Sequence, residues 1–149
     1  TAIRRVTMTN TTRPADGWTV TYDGGNALSL LTNDKVAVAM DSSAVKDLML
    51  TLRDQHFEMF ERKISKAERD SVLASPPAHV LRITQDDGAV RKIPFWTKAP
   101  YKDQRDVEGN IMTVDMDREW ALLDDTCLVV VQRQHFDRIT LPIQFLSSR

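Results

Sequence analysis

An apolar pattern that occurs twice in the same order is the feature that most restricts the fold of this chain. Two short apolar runs flank a polar turn in residues 30–39, and residues 122–131 repeat that form 92 positions later. A segment with apolar residues at helical spacing follows each pair: Val45, Leu48 and Leu52 in the first case, and Phe136, Ile139 and Ile143 in the second. Strands joined by short turns pair antiparallel. The pattern therefore predicts two related units of strands, hairpin and helix.

These units predict an α+β fold in which an antiparallel sheet is covered on one face by helices. With 149 residues, the chain is long enough to bury a core without metals or disulfides. We expect a single domain over residues 1–149, with 1–75 and 76–149 as two candidate similar halves. In support of that division, residues 3–7 resemble residues 80–84 in their order of apolar and polar positions.

The strand predictions follow from alternation between apolar and polar positions. Residues 3–9 and 18–22 alternate, and the second of these places Trp18, Val20 and Tyr22 on one face. Residues 79–84 and 89–95 flank the turn at 86–88. A three-residue turn with Gly88 at positive φ opposes Leu81 to Ile93, whereas a two-residue turn opposes Ile83 to Lys92, so we favour the former.

Helix-capping residues mark two helix starts. Asp41 and Ser42 precede the stripe that begins at Val45, and their oxygens can accept from the free amides of a first turn. Ser65 with Glu68 has the form of a capping box and predicts a short helix from about residue 66 to 74, which ends before two consecutive prolines. Residues 56–64 fit a helix or a strand equally well.

The last third of the chain is predicted to continue with a strand at residues 111–116, a hairpin over 119–132, and a helix over 134–146 that Pro142 kinks. Residues 97–110 form a polar loop between these elements. Fourteen residues are long for a connection in a compact domain, which indicates either a functional loop or a mobile one.

Charge and hydropathy exclude two classes of partner. The 20 basic and 21 acidic side chains are mixed along the chain, so no basic face is available to bind nucleic acid. The longest apolar run, residues 127–131, is far shorter than the roughly 20 residues of a membrane-spanning helix. Since the chain starts at Thr1 and not at methionine, we expect it to be a segment of a longer product.

No motif in the sequence predicts a metal, cofactor or nucleophile. His56, His79 and His135 are scattered, and zinc requires three or four clustered ligands. The acidic residues 115–119 lack the glycine and final glutamate of a calcium loop. The single cysteine, Cys127, begins an apolar run and is expected to be buried and structural. We predict no cofactor and no metal site.

Aromatic side chains provide the best candidates for a binding surface. Most of them fall on predicted strands, where they fill cores. Trp96 and Tyr101 differ because they flank Lys98 at the start of the long loop. Rigid, amphipathic rings on loops are common in contact surfaces. Trp96, Lys98 and Tyr101 are therefore the predicted ligand-binding residues, and the alternative is that both rings attach the loop to the core.

The order of these elements resembles a family of uncharacterised bacterial envelope proteins that accompany the transporter-associated gliding-motility proteins of Bacteroidota. Residues 18–52 and 120–145 carry the likeness, and residues 131–138 are its most distinctive part. The resemblance implies an anchored, extracytoplasmic module and assigns no active residues.

These considerations favour a non-catalytic cell-envelope domain that binds a protein or a glycan through loop aromatics. One alternative is a hydrolase in which a histidine and a carboxylate come together in space. Another is a structural repeat unit of a longer envelope protein. An enzyme requires a histidine within hydrogen-bonding reach of a carboxylate or hydroxyl, whereas a binding module requires an exposed patch.

Overall fold

A computed structural model of the protein describes residues 2–25, 27–53 and 64–149, and the backbone of residues 59–60. These residues form one antiparallel sheet and three short or medium helices. The strands are β1 (Ile3–Asn10), β2 (Trp18–Tyr22), β3 (Leu28–Thr32), β4 (Ala37–Val38), β5 (Met59–Phe60), β6 (His79–Gln85), β7 (Val90–Thr97), β8 (Arg118–Leu123) and β9 (Cys127–Gln132). The helices are α1 (Ser42–Arg53), α2 (Lys66–Ala74) and α3 (Arg133–Phe136). The predicted α+β class is confirmed.

The strand order in the described sheet is β4-β3-β2-β1-β6-β7-β8-β9-β5. Strands β1 to β4 run as one meander and β6 to β9 as a second, and the two join where β1 pairs with β6. Strand β5 crosses to the far edge and pairs with β9. A sequence relationship between the halves 1–75 and 76–149 stays a prediction.

One face of the sheet carries the main core. Alternate residues of the central strands are buried on this face: Val6, Met8, Trp18, Val20, Leu30, Leu81, Ile93, Phe95, Ala121, Val129 and Val131. Helix α1 covers it with Val45 and Leu48, and the Asp41 carboxylate accepts from the amides of Ser43 and Ala44 at the helix start, both at 3.0 Å. The predicted cap and apolar stripe of this helix are confirmed.

The opposite face of the sheet has a smaller core of its own. Trp96 and Trp120 are opposite each other on β7 and β8 and pack with Leu128 and Val130. Val72 of α2 packs against this cluster, so α2 lies on the face opposite α1. Helices therefore cover both faces and not one, because two indole rings at adjacent strand positions present too much apolar surface to remain in water.

The hairpin of β6 and β7 has the predicted register. Leu81 is the partner of Ile93, and Gly88 in the turn has a φ of 84°. The predicted serine cap of α2 is present as well, since the Ser65 hydroxyl accepts from the Glu68 amide at 3.1 Å. Among the described residues, no helix is both long and apolar enough to cross a membrane.

The predicted helix over residues 134–146 is wrong. The α-helical part ends at Phe136, and only Ile143–Phe145 forms a further 3-10 turn. One long-range interaction holds the segment after Phe136 outside a continuing helix: the Trp18 indole donates to the Leu141 carbonyl at 2.7 Å. Pro142 then has no amide to donate. The apolar stripe is nevertheless buried at Phe136, Ile139 and Leu146.

Three further predictions need correction or completion. Residues 111–116 form no strand, and only an isolated bridge links Ile111 to Arg105. Cys127 is exposed and not buried, because it is the first residue after the β8–β9 turn, where the strand emerges from the core. In residues 56–64, Met59–Phe60 form the edge strand β5; His56 lies outside the described residues.

Candidate functional site

Trp96 is an internal residue of the smaller core. Its exposed fraction is 6%, and its indole N–H donates to the Ser75 carbonyl at 2.9 Å. Ser75 is the residue that ends α2. The ring therefore attaches the end of α2 to the sheet.

Lys98 is also buried, with a side-chain exposure of 5%. Its ammonium nitrogen lies 3.9 Å from the Asp115 carboxylate, 3.0 Å from the Ala99 carbonyl and 5.7 Å from the centre of the Trp120 ring. Asp115 is 2% exposed. A charged group that leaves water needs a partner and hydrogen bonds to offset its lost hydration. Here the Asp115 carboxylate is the charged partner, the Ala99 carbonyl accepts a hydrogen bond, and the face of the Trp120 ring adds a cation–π interaction.

The Lys98–Asp115 pair closes the base of the long loop. The Asp115 amide donates to the Lys98 carbonyl at 2.8 Å, so side chains and backbone join the same two residues. The Asp115 carboxylate also accepts from the amides of Asp117 and Arg118, at 2.9 and 3.1 Å. Residues 99–114 therefore leave and re-enter the domain at a single closed point. We refer to residues 99–114 as the clamped loop.

The tip of the clamped loop is organised by Asp106. One of its carboxylate oxygens accepts from the amides of Glu108 and Asn110, each at 2.9 Å, and hydrogen bonds from Asn110 hold the pKa of this carboxyl below its usual value. Gly109 completes the turn with a φ of 87°. Deeper in the loop, the Met112 amide donates to the Gln104 carbonyl at 2.7 Å. These bonds give the loop a defined shape of its own.

The clamped loop exposes large apolar side chains. Tyr101 is 66% exposed, Ile111 is 57% exposed, and Val107 at the tip is fully exposed. Met116, just beyond the closed base, is also exposed. Single exposed apolar residues are ordinary, but several on one protruding and internally bonded segment are typical of a contact surface.

The structure does not bring Trp96, Lys98 and Tyr101 together as one exposed patch. Trp96 and Lys98 are inside the domain, and Tyr101 alone of the three is on the surface. The loop that contains Tyr101 nevertheless exposes Val107 and Ile111 as well. Ligand binding by these three residues stays a prediction, and the exposed side chains Val107 and Ile111 were missed because an isolated aliphatic residue in a polar loop carries no sequence signal.

A second group of polar residues lies near the start of β8, on the face of the main core. Glu119 is buried there, and burial raises its pKa to about 7, although the nearby Arg133 guanidinium opposes that rise. Arg133 in turn lies 3.8 Å from the Asp137 carboxylate. The sequence contained a signal for Glu119, since its position in the strand alternation is the same as that of the buried Ala121.

His79 at the start of β6 is half-buried, and its pKa is lowered by that burial and by Arg133. Its ring nitrogen lies 3.4 Å from the Asn10 side-chain amide. The hydrolase alternative requires a histidine within hydrogen-bonding reach of a carboxylate or hydroxyl, and within the described ranges no histidine forms an ion pair with a carboxylate. His135 is exposed.

Metal ligation has no candidate in the described residues, where no three His, Cys, Asp or Glu side chains are grouped so as to hold an ion. Comparison with known proteins adds no family to these observations. No protein-family model, curated protein or solved structure shows a significant match to this chain.

Proposed function

We propose that this protein is a non-catalytic module that binds another protein through the clamped loop. The observation that carries the proposal is the combination of exposed apolar side chains at Tyr101, Val107 and Ile111 with a base that the buried Lys98–Asp115 pair closes. A loop that is already ordered loses less conformational entropy when it binds than a flexible one does.

The exposed side chains favour a protein over a glycan as the partner. Val107 and Ile111 are aliphatic, and an aliphatic side chain offers neither a hydrogen bond nor a flat ring to a sugar. Both can enter an apolar pocket on another protein, which is how the central residues of protein interfaces gain affinity. Tyr101 adds an aromatic ring with a polar hydroxyl, a residue type that is enriched at such interfaces.

An extracytoplasmic location is part of the proposal and depends on the resemblance to bacterial envelope proteins. In that setting the module would be one part of a longer envelope protein, and its partner would be another envelope component. The exposed thiol of Cys127 is a group that a cysteine-reactive, membrane-impermeant reagent could label to locate the domain in cells.

Replacement of Val107 and Ile111 by aspartate tests the proposal. Immobilised wild-type domain is incubated with envelope extract, and the retained proteins are identified. We expect the Val107→Asp, Ile111→Asp double variant to retain at least tenfold less of them, because two charges at the centre of an apolar contact would lose their hydration. Both residues are exposed in the free protein, so the fold is expected to be unaffected.

The matched control is the Val36→Asp, Val90→Asp double variant, which alters two valines that are 60% and 51% exposed and lie outside the clamped loop. It is expected to retain the same proteins as the wild type. Equal retention by both double variants would contradict the assignment of the surface. Retention of carbohydrate in place of protein would contradict the class of partner.

A further inference from the structure

A cleft opens between the second half of α1 and the ends of β1, β2 and β3. Its volume is about 990 Å³, at the upper end of the range for small-molecule sites. Ile3, Tyr22 and Leu28 line it from the sheet, and Met49 and Leu50 line it from the helix. Four of these side chains are half-buried and Leu50 is exposed, so the cleft is an opening of the main core toward solvent.

Basic residues line the helix side of the cleft. Lys46 and Arg53 lie seven positions apart on α1, which places them on the same side of the helix and about 10 Å apart along its axis. Within the described part of the chain, no carboxylate forms an ion pair with either of them. Asp86 is on the sheet side of the cleft, where its amide donates to the Ala2 carbonyl at 2.9 Å.

A third cation, Arg4, is exposed and does not line the cleft, but it lies close to one of the lining residues. The Arg4 guanidinium is 6.0 Å from the centre of the Tyr22 ring, which lines the cleft from β2. With Lys46 and Arg53 against Asp86, the net charge of the side chains that line this apolar space is positive. An apolar ligand with no charge would form no ion pair with the basic residues, and a cationic ligand would be repelled by them.

We infer that the cleft binds a linear amphiphile with one anionic head group, such as a long-chain carboxylate. The acyl chain lies against Ile3, Tyr22 and Leu28, where it removes apolar surface from water. The carboxylate lies on the helix side, between Lys46 and Arg53, where charge-assisted hydrogen bonds hold it away from Asp86. The cleft is separate from the clamped loop, and the inference does not depend on the function proposed above.

Titration with laurate tests the inference, with methyl groups as local reporters. The chain contains six methionines; Met49 lines the cleft, whereas Met116 lies next to the clamped loop and is exposed. In protein labelled with carbon-13 at the methionine methyls, we expect laurate below its micelle concentration to shift the Met49 resonance saturably and to leave the Met116 resonance in place.

Two double variants test whether laurate binding depends on the basic side chains of the cleft or only on its apolar surface. Lys46→Gln with Arg53→Gln is expected to weaken laurate binding by about tenfold or more. Arg82→Gln with Lys92→Gln removes the same two charge types from exposed strand positions outside the cleft and is expected to bind like the wild type. Dodecyltrimethylammonium is expected to cause no shift at Met49.

Three results would overturn the inference. The first is an unchanged Met49 resonance at saturating laurate. The second is equal affinity of the wild type and the Lys46→Gln, Arg53→Gln variant. The third is an equal Met49 shift with dodecyltrimethylammonium, because that would show an apolar cleft without selection for an anion.

Discussion

Replacing Lys98 with methionine is expected to lower the free energy of unfolding by about 3 kcal/mol, as breaking a buried ion pair typically does. Methionine keeps most of the apolar stem but leaves the Asp115 carboxylate, which is 2% exposed, without its cation. The interaction of the ammonium group with the Trp120 ring is lost as well. Urea denaturation followed by tryptophan fluorescence measures the change.

An exposed ion pair provides the control for this prediction. Arg91 and Asp124 approach to 3.2 Å, but their side chains are 53% and 74% exposed. Arg91→Met is therefore expected to change the free energy of unfolding by no more than about 0.5 kcal/mol. If Lys98→Met were no more costly than Arg91→Met, the clamp at the base of the loop would not contribute to stability.

Replacing Glu119 with glutamine is expected to remove a pH-dependent destabilisation that reaches about 3 kcal/mol at pH 8. The pKa of this carboxyl rises from 4.5 to about 7 in the folded protein because the side chain is buried. Between these two pH values the folded protein keeps a proton that the unfolded chain has lost, so stability falls as the pH rises. At 1.36 kcal/mol per pH unit, the total is about 3 kcal/mol, and it is constant above the folded pKa.

The measurement compares the wild type and Glu119→Gln by urea denaturation from pH 4 to pH 8. The difference between the two proteins is the informative quantity, because the lowered pKa of His79 acts in the opposite direction and is present in both. That difference should be smallest at pH 4 and grow in favour of the variant as the pH rises. A difference independent of pH would contradict the buried state of Glu119.

The local structure of this chain is well predicted where neighbouring residues determine it. The register of Leu81 against Ile93 follows from alternation and from a turn that only glycine accepts readily, here Gly88. The caps at Asp41 and Ser65 follow from the unpaired amides of a first helical turn. The two partners in each of these interactions are at most about a dozen positions apart in the sequence.

The errors occur where distant residues decide the outcome. The chain leaves α3 early because the Trp18 indole, 123 positions away, binds the Leu141 carbonyl. Pattern analysis of residues 134–146 alone detects their apolar stripe but no such partner. The same reason explains α2, whose position opposite α1 follows from the pairing of Trp96 with Trp120 across two strands.

The sequence pattern indicates the long loop but not which of its side chains are exposed. The loop that follows Trp96 was singled out by its length and composition. Burial of Lys98 could not be predicted, because its partner Asp115 is far along the chain and a lysine in a polar loop is ordinarily exposed. The surface that the loop presents is formed by Val107 and Ile111 in addition to Tyr101.

Site-specific photocrosslinking tests most directly whether the clamped loop is the binding surface. A photoreactive phenylalanine analogue is placed at Val107 in one variant and at Val36 in another, both of which are exposed in the free protein. After irradiation in the native host, the account predicts discrete crosslinked protein species from position 107 and none from position 36. Crosslinked species from position 36 alone, or from neither position, would contradict it.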